Sequence, residues 1–202
     1  MNIVDQIRDK LKKNELESGA FINLNKLMNE FNVSRTPIKE SLIYLEAEGW
    51  VQRSGTHFIV TPLSLNRVRE YTEIRVITEV ETNVLAMRRI NEEEMRQLDK
   101  IALNIKENSN NCSREKMIQL DLDFHLLLFS ASKNKQLGNF LTRTLTQYQQ
   151  FWLSVPDEIK PEYFFNGIEE IIMAIKEKNE KKLRIESSKH IKSTIPSVNI
   201  FA

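Results

Sequence analysis

Apolar residues in this chain recur mostly at three- and four-residue intervals, the period of an amphipathic helix. Ile3, Val4, Ile7 and Leu11 predict an opening helix over about residues 2–13, which Ser18-Gly19 breaks. Leu24, Leu27, Met28 and Phe31 predict a second, short helix, and Asn32-Val33 is a turn tight enough to join it to a third. Ser34 can cap that third helix, and Pro37, still in its first turn, loses no intrahelical hydrogen bond there. Ile38, Leu42 and Leu45 form its inward stripe, so Arg35, Thr36 and Lys39 fall on the other side. After Gly49 the residues Trp50-Val51-Gln52-Arg53, a Ser54-Gly55 turn and Phe58-Ile59-Val60-Thr61 predict a small hairpin.

Two helices across a tight turn, followed by a hairpin, make a winged helix-turn-helix. Arg35 and Lys39 are one turn apart on the third helix, so both can enter a major groove, where cations meet guanine O6 and N7 or nearby phosphates. Arg53, Thr56 and His57 at the hairpin tip would reach the DNA backbone or minor groove. The plain alternative is a helix with a solvated Arg/Lys face. The formal net charge is only +1, so no global basic field draws in nucleic acid. DNA affinity then comes from local placement of Arg35, Lys39, Arg53 and Lys26, and non-specific binding should be weak and salt-sensitive.

Thr61-Pro62-Leu63-Ser64 marks a boundary, because proline ends the wing strand and Ser64 can cap the next helix. The chain thus reads as two domains, 1–63 and 64–202. The second shows almost no strand pattern and little glycine, and its periodicity predicts helices over about 64–89 (Ile77, Val80, Val84, Met87), 91–108 (Met95, Leu98, Ile101, Ile105), 113–132, 134–154, 160–178 and 179–195. Asn108-Ser109-Asn110-Asn111 and Lys133-Asn134 mark hairpin turns in what should be an antiparallel bundle. The fold class is mainly α: a winged helix-turn-helix joined to an all-helical bundle.

The bundle's interior should hold charge. Over 113–132, Met117, Asp121, Phe124 and Leu128 form one stripe, with Ile118, Leu122, His125 and Phe129 beside it. A carboxylate facing a core is costly unless it is paired, hydrogen-bonded or bound to metal. Four-residue spacing puts Asp121 and His125 on one face, where they fit either a hydrogen-bonded pair or two ligands of one ion. Tyr148, Phe151 and Trp152 fit a packed core and also a pocket wall.

The single cysteine, Cys112, leaves no internal disulfide and fits a reducing cytoplasm. The first residues go straight into an amphipathic helix, and the most apolar run, Leu126–Phe129, is too short to span a bilayer. A soluble, cytoplasmic protein that does not enter a membrane is expected.

Residues 1–62 resemble the winged-helix domain of the GntR family of bacterial regulators. The family pattern, roughly VSRTPVREAL-x-x-LExEGLV, stands here as Val33-Ser-Arg-Thr-Pro-Ile-Lys-Glu-Ser-Leu42 and Leu45-Glu-Ala-Glu-Gly-Trp-Val51. Lys39 replaces the usual arginine, a flexible point charge for a rigid fork. His57 sits near a usual wing glycine. Residues 65–195 resemble the helical FCD effector-binding domain of the family's FadR branch, whose D-x-x-F-H hallmark is Asp121-Leu-Asp-Phe-His125. The resemblance implies that Asp121, His125 and His190 hold a divalent, zinc- or nickel-like metal whose coordination a carboxylate effector completes. The family's remaining histidine falls at Ile168, so the site here is either a three-ligand metal site or a cavity that takes an organic ligand directly. Arg75 and Glu79 match the family's R-x-x-x-E. Arg75 suits an acidic effector, or else simply a salt bridge with Glu79.

No general base beside these ligands, phosphate loop or nucleophile elbow is visible, which points away from an enzyme. The sequence therefore predicts a homodimeric regulator, most often a repressor in this family. It would bind a double-stranded DNA operator under control of a small organic acid. A metal-responsive regulator without an organic effector, and more remotely a metal-dependent helical enzyme, are the alternatives.

Overall fold

The computed structural model describes residues 2–62, 64–109, 112–154 and 161–193. The chain divides into two compact units, Met1–Ser64 with Thr146–Pro156, and Leu65–Leu145 with Asp157–Ala202. The two are mainly helical, with one small antiparallel sheet among the described residues.

The first unit is built from α1 (Ile3–Lys12), α2 (Leu24–Phe31), α3 (Arg35–Glu48), β1 (Val51–Ser54) and β2 (His57–Val60). Asn2 and Asn23 cap α1 and α2 by accepting from the N–H groups of Asp5 and Lys26. Asn32 turns left-handed at φ 51°, the conformation that lets α2 end and α3 start with only three residues between them. Ile7, Leu27, Ile38, Leu42, Leu45 and Phe58 form one buried cluster, so the inward stripe on α3 lies where the periodicity placed it. Arg8 ties α1 to α3 through Glu48 at 3.1 Å. Gly49, at φ 88°, ends α3 and reverses the chain, and Thr61 Oγ1 donates to its carbonyl at 2.8 Å, closing the wing onto the helix.

The wing pairs Val51 with Val60 and Ser54 with His57. Its two-residue loop is Gly55-Thr56, one residue later than the Ser54-Gly55 turn expected. Gly55 takes the positive φ (60°) that a tight hairpin needs at its first loop position. Phe21 adds a bridge to Ile59.

The second unit contains α4 (Leu65–Arg89), α5 (Glu92–Asn108), α6 (Arg114–Ala131), α7 (Lys135–Ser154), α8 (Glu162–Phe165), α9 (Ile168–Lys176) and α10 (Glu180–Ser193), with part of α7 grouped with the first. Asn91 and Glu94 form a reciprocal capping box at the start of α5. α10 packs on α4 and α9, and α6 packs on α4 and α5. Val84, Leu98, Phe124, Leu128, Ile171 and Leu183 belong to its buried core.

Three further expectations are corrected. The helix over 160–178 is broken: Gly167, at φ 82°, separates α8 from α9. Ile77, expected inside, is 71% exposed on α4. Ser34 stands at the start of α3 but makes no side-chain cap hydrogen bond. Asn110 and Asn111 of the expected turn lie outside the described residues. Tyr148, Phe151 and Trp152 are buried as expected. Among the described residues, no helix is long and apolar enough to cross a membrane.

Because Leu42 is fully buried, Leu42→Ala should destabilise the winged unit by about 2–5 kcal/mol. Amide hydrogen exchange along Arg35–Glu48 measures this, and unchanged protection would contradict the packing.

Candidate functional site

Two groups of residues carry chemistry, one in each unit. In the first, Ser34, Arg35, Thr36 and Lys39 are exposed around the N-terminal turns of α3, because Ile38, Leu42 and Leu45 turn the opposite face inward. Since the Ser34 side chain takes up none of the first-turn N–H groups, the start of α3 keeps the donors and the positive dipole end that favour phosphate. Arg53, Thr56 and His57 are exposed on the wing. Arg53 does not stand clear: its Nε is 3.4 Å from Glu46 Oε2, and its guanidinium lies 4.5 Å over the Phe58 ring. His57 meets Phe21 edge-on at 5.8 Å. Lys26 is also exposed.

The second group is buried inside the helical unit. On α4, Arg75 and Glu79 are four apart and face the interior, 1% and 0% exposed. Arg75 Nε donates to Glu79 Oε2 at 2.8 Å and Nη2 to Oε1 at 3.3 Å. Interior placement and salt bridge, set against each other from the sequence, therefore both hold. Asp121 and His125 project from one face of α6, and His190 joins them from α10.

Distances define what this cluster can do. His125 Nε2 lies 3.2 Å from His190 Nε2 and 3.5 Å from Asp121 Oδ1, and His190 Nε2 lies 3.8 Å from that oxygen. His190 Nδ1 donates to the Asn166 carbonyl at 2.8 Å, which fixes its tautomer and turns the Nε2 lone pair inward. That carbonyl is available because the chain turns at Gly167, whose α-carbon face lies against His190: a Cβ there would be 3.6 Å from His190 Cβ. His125 Nδ1 is 2.8 Å from Glu79 Oε1, an ion-pair contact too poorly angled for a hydrogen bond. Asp121 Oδ1 is buried and accepts no hydrogen bond.

Two carboxylates face one guanidinium here, so the cluster lacks positive charge. Burial alone would push the His125 pKa down, but the charges of Glu79 and Asp121 outweigh it and hold it up at about 9. Burial, reinforced by the neighbouring His125 charge, pushes His190 down to about 4. Burial would likewise raise Glu79, yet Arg75 and His125 keep it well below the usual carboxylate range. Arg75 Nη2 also lies 3.2 Å from His125 Nε2, an attractive contact only when that nitrogen carries no proton. The two carboxylates are the stronger influence, so the raised direction stands.

The donor set fits a divalent ion. Ligands about 2.0–2.2 Å from a tetrahedral centre are about 3.3–3.6 Å apart, close to the 3.2, 3.5 and 3.8 Å observed. Glu79 behind His125 and the Asn166 carbonyl behind His190 are the outer partners that orient such ligands. Ile168, at the fourth family position, is 1% exposed within the hydrophobic core and offers no donor atom. Periodicity and spacing missed three features: the contact of Glu79 with His125, the Asn166 carbonyl, and the buried pair Asn83 and Ser187. The Asn166-Gly167 dipeptide, a turn signal, was the mark that could have revealed the break in the helix.

Comparison with known proteins agrees with this division. Residues 1–57 match the bacterial regulatory proteins of the gntR family, and residues 70–193 match the FCD domain. An uncharacterized HTH-type transcriptional regulator of Bacillus subtilis, YdhC, is 29% identical over 143 residues, which span 70% of this chain and 64% of that protein. The gluconate operon transcriptional repressor of Bacillus licheniformis is 29% identical over 79 residues, 39% of this chain and 32% of its own length. In both cases the match spans less than two thirds of the relative. The solved structure of E. coli McbR/YncC superposes with a TM-score of 0.78 at 18% identity, covering 95% of this chain and 94% of the other, and so shares the fold. The chain belongs to the GntR family of bacterial regulators, with a gntR-type N-terminal domain followed by an FCD domain.

Proposed function

We propose that this regulator is a repressor that acts as a homodimer. In this reading, its affinity for a palindromic operator is set by a small carboxylate bound in the helical unit beside a divalent metal. The carrying observation is the convergence of Asp121, His125 and His190, one of whose oxygens is buried without a hydrogen-bond donor. Those three residues would hold the ion, and the ion would supply positive charge and open coordination positions for an anion. Arg75, kept in the interior by Glu79, adds a guanidinium suited to a carboxylate. The name of the Bacillus licheniformis relative, a gluconate operon repressor, favours both repression and an organic acid.

On the DNA side, Arg35 and Lys39 read the major groove, Ser34 and Thr36 hold phosphate, and Arg53, Thr56 and His57 bring the wing to the backbone or minor groove. Two such units, related by a two-fold axis, set the half-site spacing. The effector acts through its unequal affinity for DNA-binding and non-binding arrangements of the dimer.

Arg35→Ala should weaken binding to a duplex enriched from a random pool by about fivefold to 150-fold, with helicity and oligomeric state unchanged. Equal affinity would contradict the assignment. For the metal, the sign of the pH dependence follows from His125. Its pKa is raised to about 9, so it is protonated at neutral pH and must lose that proton to ligate, whereas His190, pushed down to about 4, is already neutral. Zinc titration by calorimetry in buffers of different ionisation enthalpy should show about one proton released per ion at pH 7.5, with affinity falling about tenfold per pH unit below 9. Zinc binding without proton release would contradict a His125 that is protonated before it ligates.

A further inference from the structure

One buried polar pair in the helical unit is left unexplained by the metal, the guanidinium or either histidine. Asn83 is 1% exposed on α4, one turn beyond Glu79, as Glu79 is one turn beyond Arg75. Its Nδ2 donates to Ser187 Oγ at 3.1 Å, and its Oδ1 is buried without a donor. Ser187 is itself fully buried on α10, three residues before His190 and on the same face. α4 and α10 pack together, so Asn83 and Ser187 form the layer of the interior next to Glu79 and His190, about 5–6 Å along the helix axes.

A buried amide acceptor without a donor is costly, and an apolar side chain at position 83 would avoid the cost. The chemistry of the pair names the missing group. Asn83 Oδ1 seeks a donor, while the Ser187 hydroxyl, which accepts from Asn83, keeps its own proton to give. A hydroxyl both donates and accepts, so one hydroxyl answers both residues, and it still does if the Asn83 amide is turned over. A second carboxylate in this layer would instead add to the surplus negative charge around His125.

We propose that Asn83 and Ser187 form a hydroxyl subsite and that the effector is a hydroxy-carboxylate. Its carboxylate lies beside Asp121, His125, His190 and Arg75, and a hydroxyl further along its chain lies on Asn83 and Ser187. This rests on the carboxylate-effector reading above. A plain carboxylic acid of the same length leaves the Asn83 amide unmet. Discrimination therefore comes from the protein's own buried group and not from the metal.

The test is calorimetric affinity of the zinc-loaded full chain for matched acids: 3-hydroxybutyrate and 4-hydroxybutyrate against butyrate, and D-gluconate against hexanoate. In at least one pair the wild-type protein should bind the hydroxy acid about tenfold more tightly, the size of one hydrogen bond to a buried neutral group. Asn83→Leu should bring that ratio within about twofold. Absence of preference in every pair, or the same preference in Asn83→Leu, overturns the subsite. If none of the acids binds either protein, the carboxylate reading itself fails and the subsite with it. Should Asn83→Leu not fold, Ser187→Ala removes only the hydroxyl donor and should still reduce the preference. An unreduced ratio there is equally contrary.

Discussion

Inside the helical unit, among the described residues, the carboxylates of Glu79 and Asp121 face two imidazoles and a single permanent cation, Arg75. A buried charge that is not balanced is among the most expensive things a fold can hold. The arrangement therefore needs one more positive charge. A proton on His125, whose pKa the charges of Glu79 and Asp121 hold up, would supply it, and a divalent ion at Asp121, His125 and His190 would supply it in place of that proton. Packing around the cluster follows the same need. Glu79 meets His125 from one side, the Asn166 carbonyl turns His190 from the other, and Phe124 closes edge-on against both rings.

The helices are broken and capped where the cluster requires it. A continuous helix through Asn166 would use that carbonyl in its own hydrogen bonds, so the turn at Gly167 is what makes it available to His190. The winged unit obeys a different rule. Its hydrophobic core is closed by apolar side chains, and its polar side chains are displayed on α3 and the wing. This is the division expected of a part that must present cations to a polyanion without changing shape. The helical unit buries a charged cluster beneath an otherwise charged surface, whereas the charged groups of the winged unit are all exposed or half-buried among the described residues. That contrast supports the proposal that the helical unit senses a ligand and the winged unit contacts DNA.

Much of this was legible in the chain. The stripe Ile38, Leu42, Leu45 oriented α3 and hence exposed Arg35 and Lys39, and the four-residue spacing of Asp121 and His125 put both on one face. His190 could be placed only through the family resemblance, because it is 65 residues from His125 and no local period links them. Other features were hidden for identifiable reasons. A salt bridge between residues four apart looks the same whether exposed or buried, so Arg75 and Glu79 did not reveal that Glu79 also meets His125. Glutamates, isoleucines and lysines around Asn166-Gly167 kept helical period on both sides and masked the break. Ile77 shared the period of α4's inward face yet lies outside, since a helix of 25 residues presents more apolar positions than its neighbours cover. Asn83 and Ser187, ordinary polar residues in polar surroundings, gave no signal until α4 and α10 were brought together.

A divalent ion is proposed to balance the negative surplus around His125. Elemental analysis of protein purified without chelator tests it most directly. About one divalent ion per chain is expected in the wild type and essentially none in His125→Ala or Asp121→Ala. Wild-type protein free of metal even after exposure to zinc and nickel, or metal content unchanged by either substitution, would contradict it.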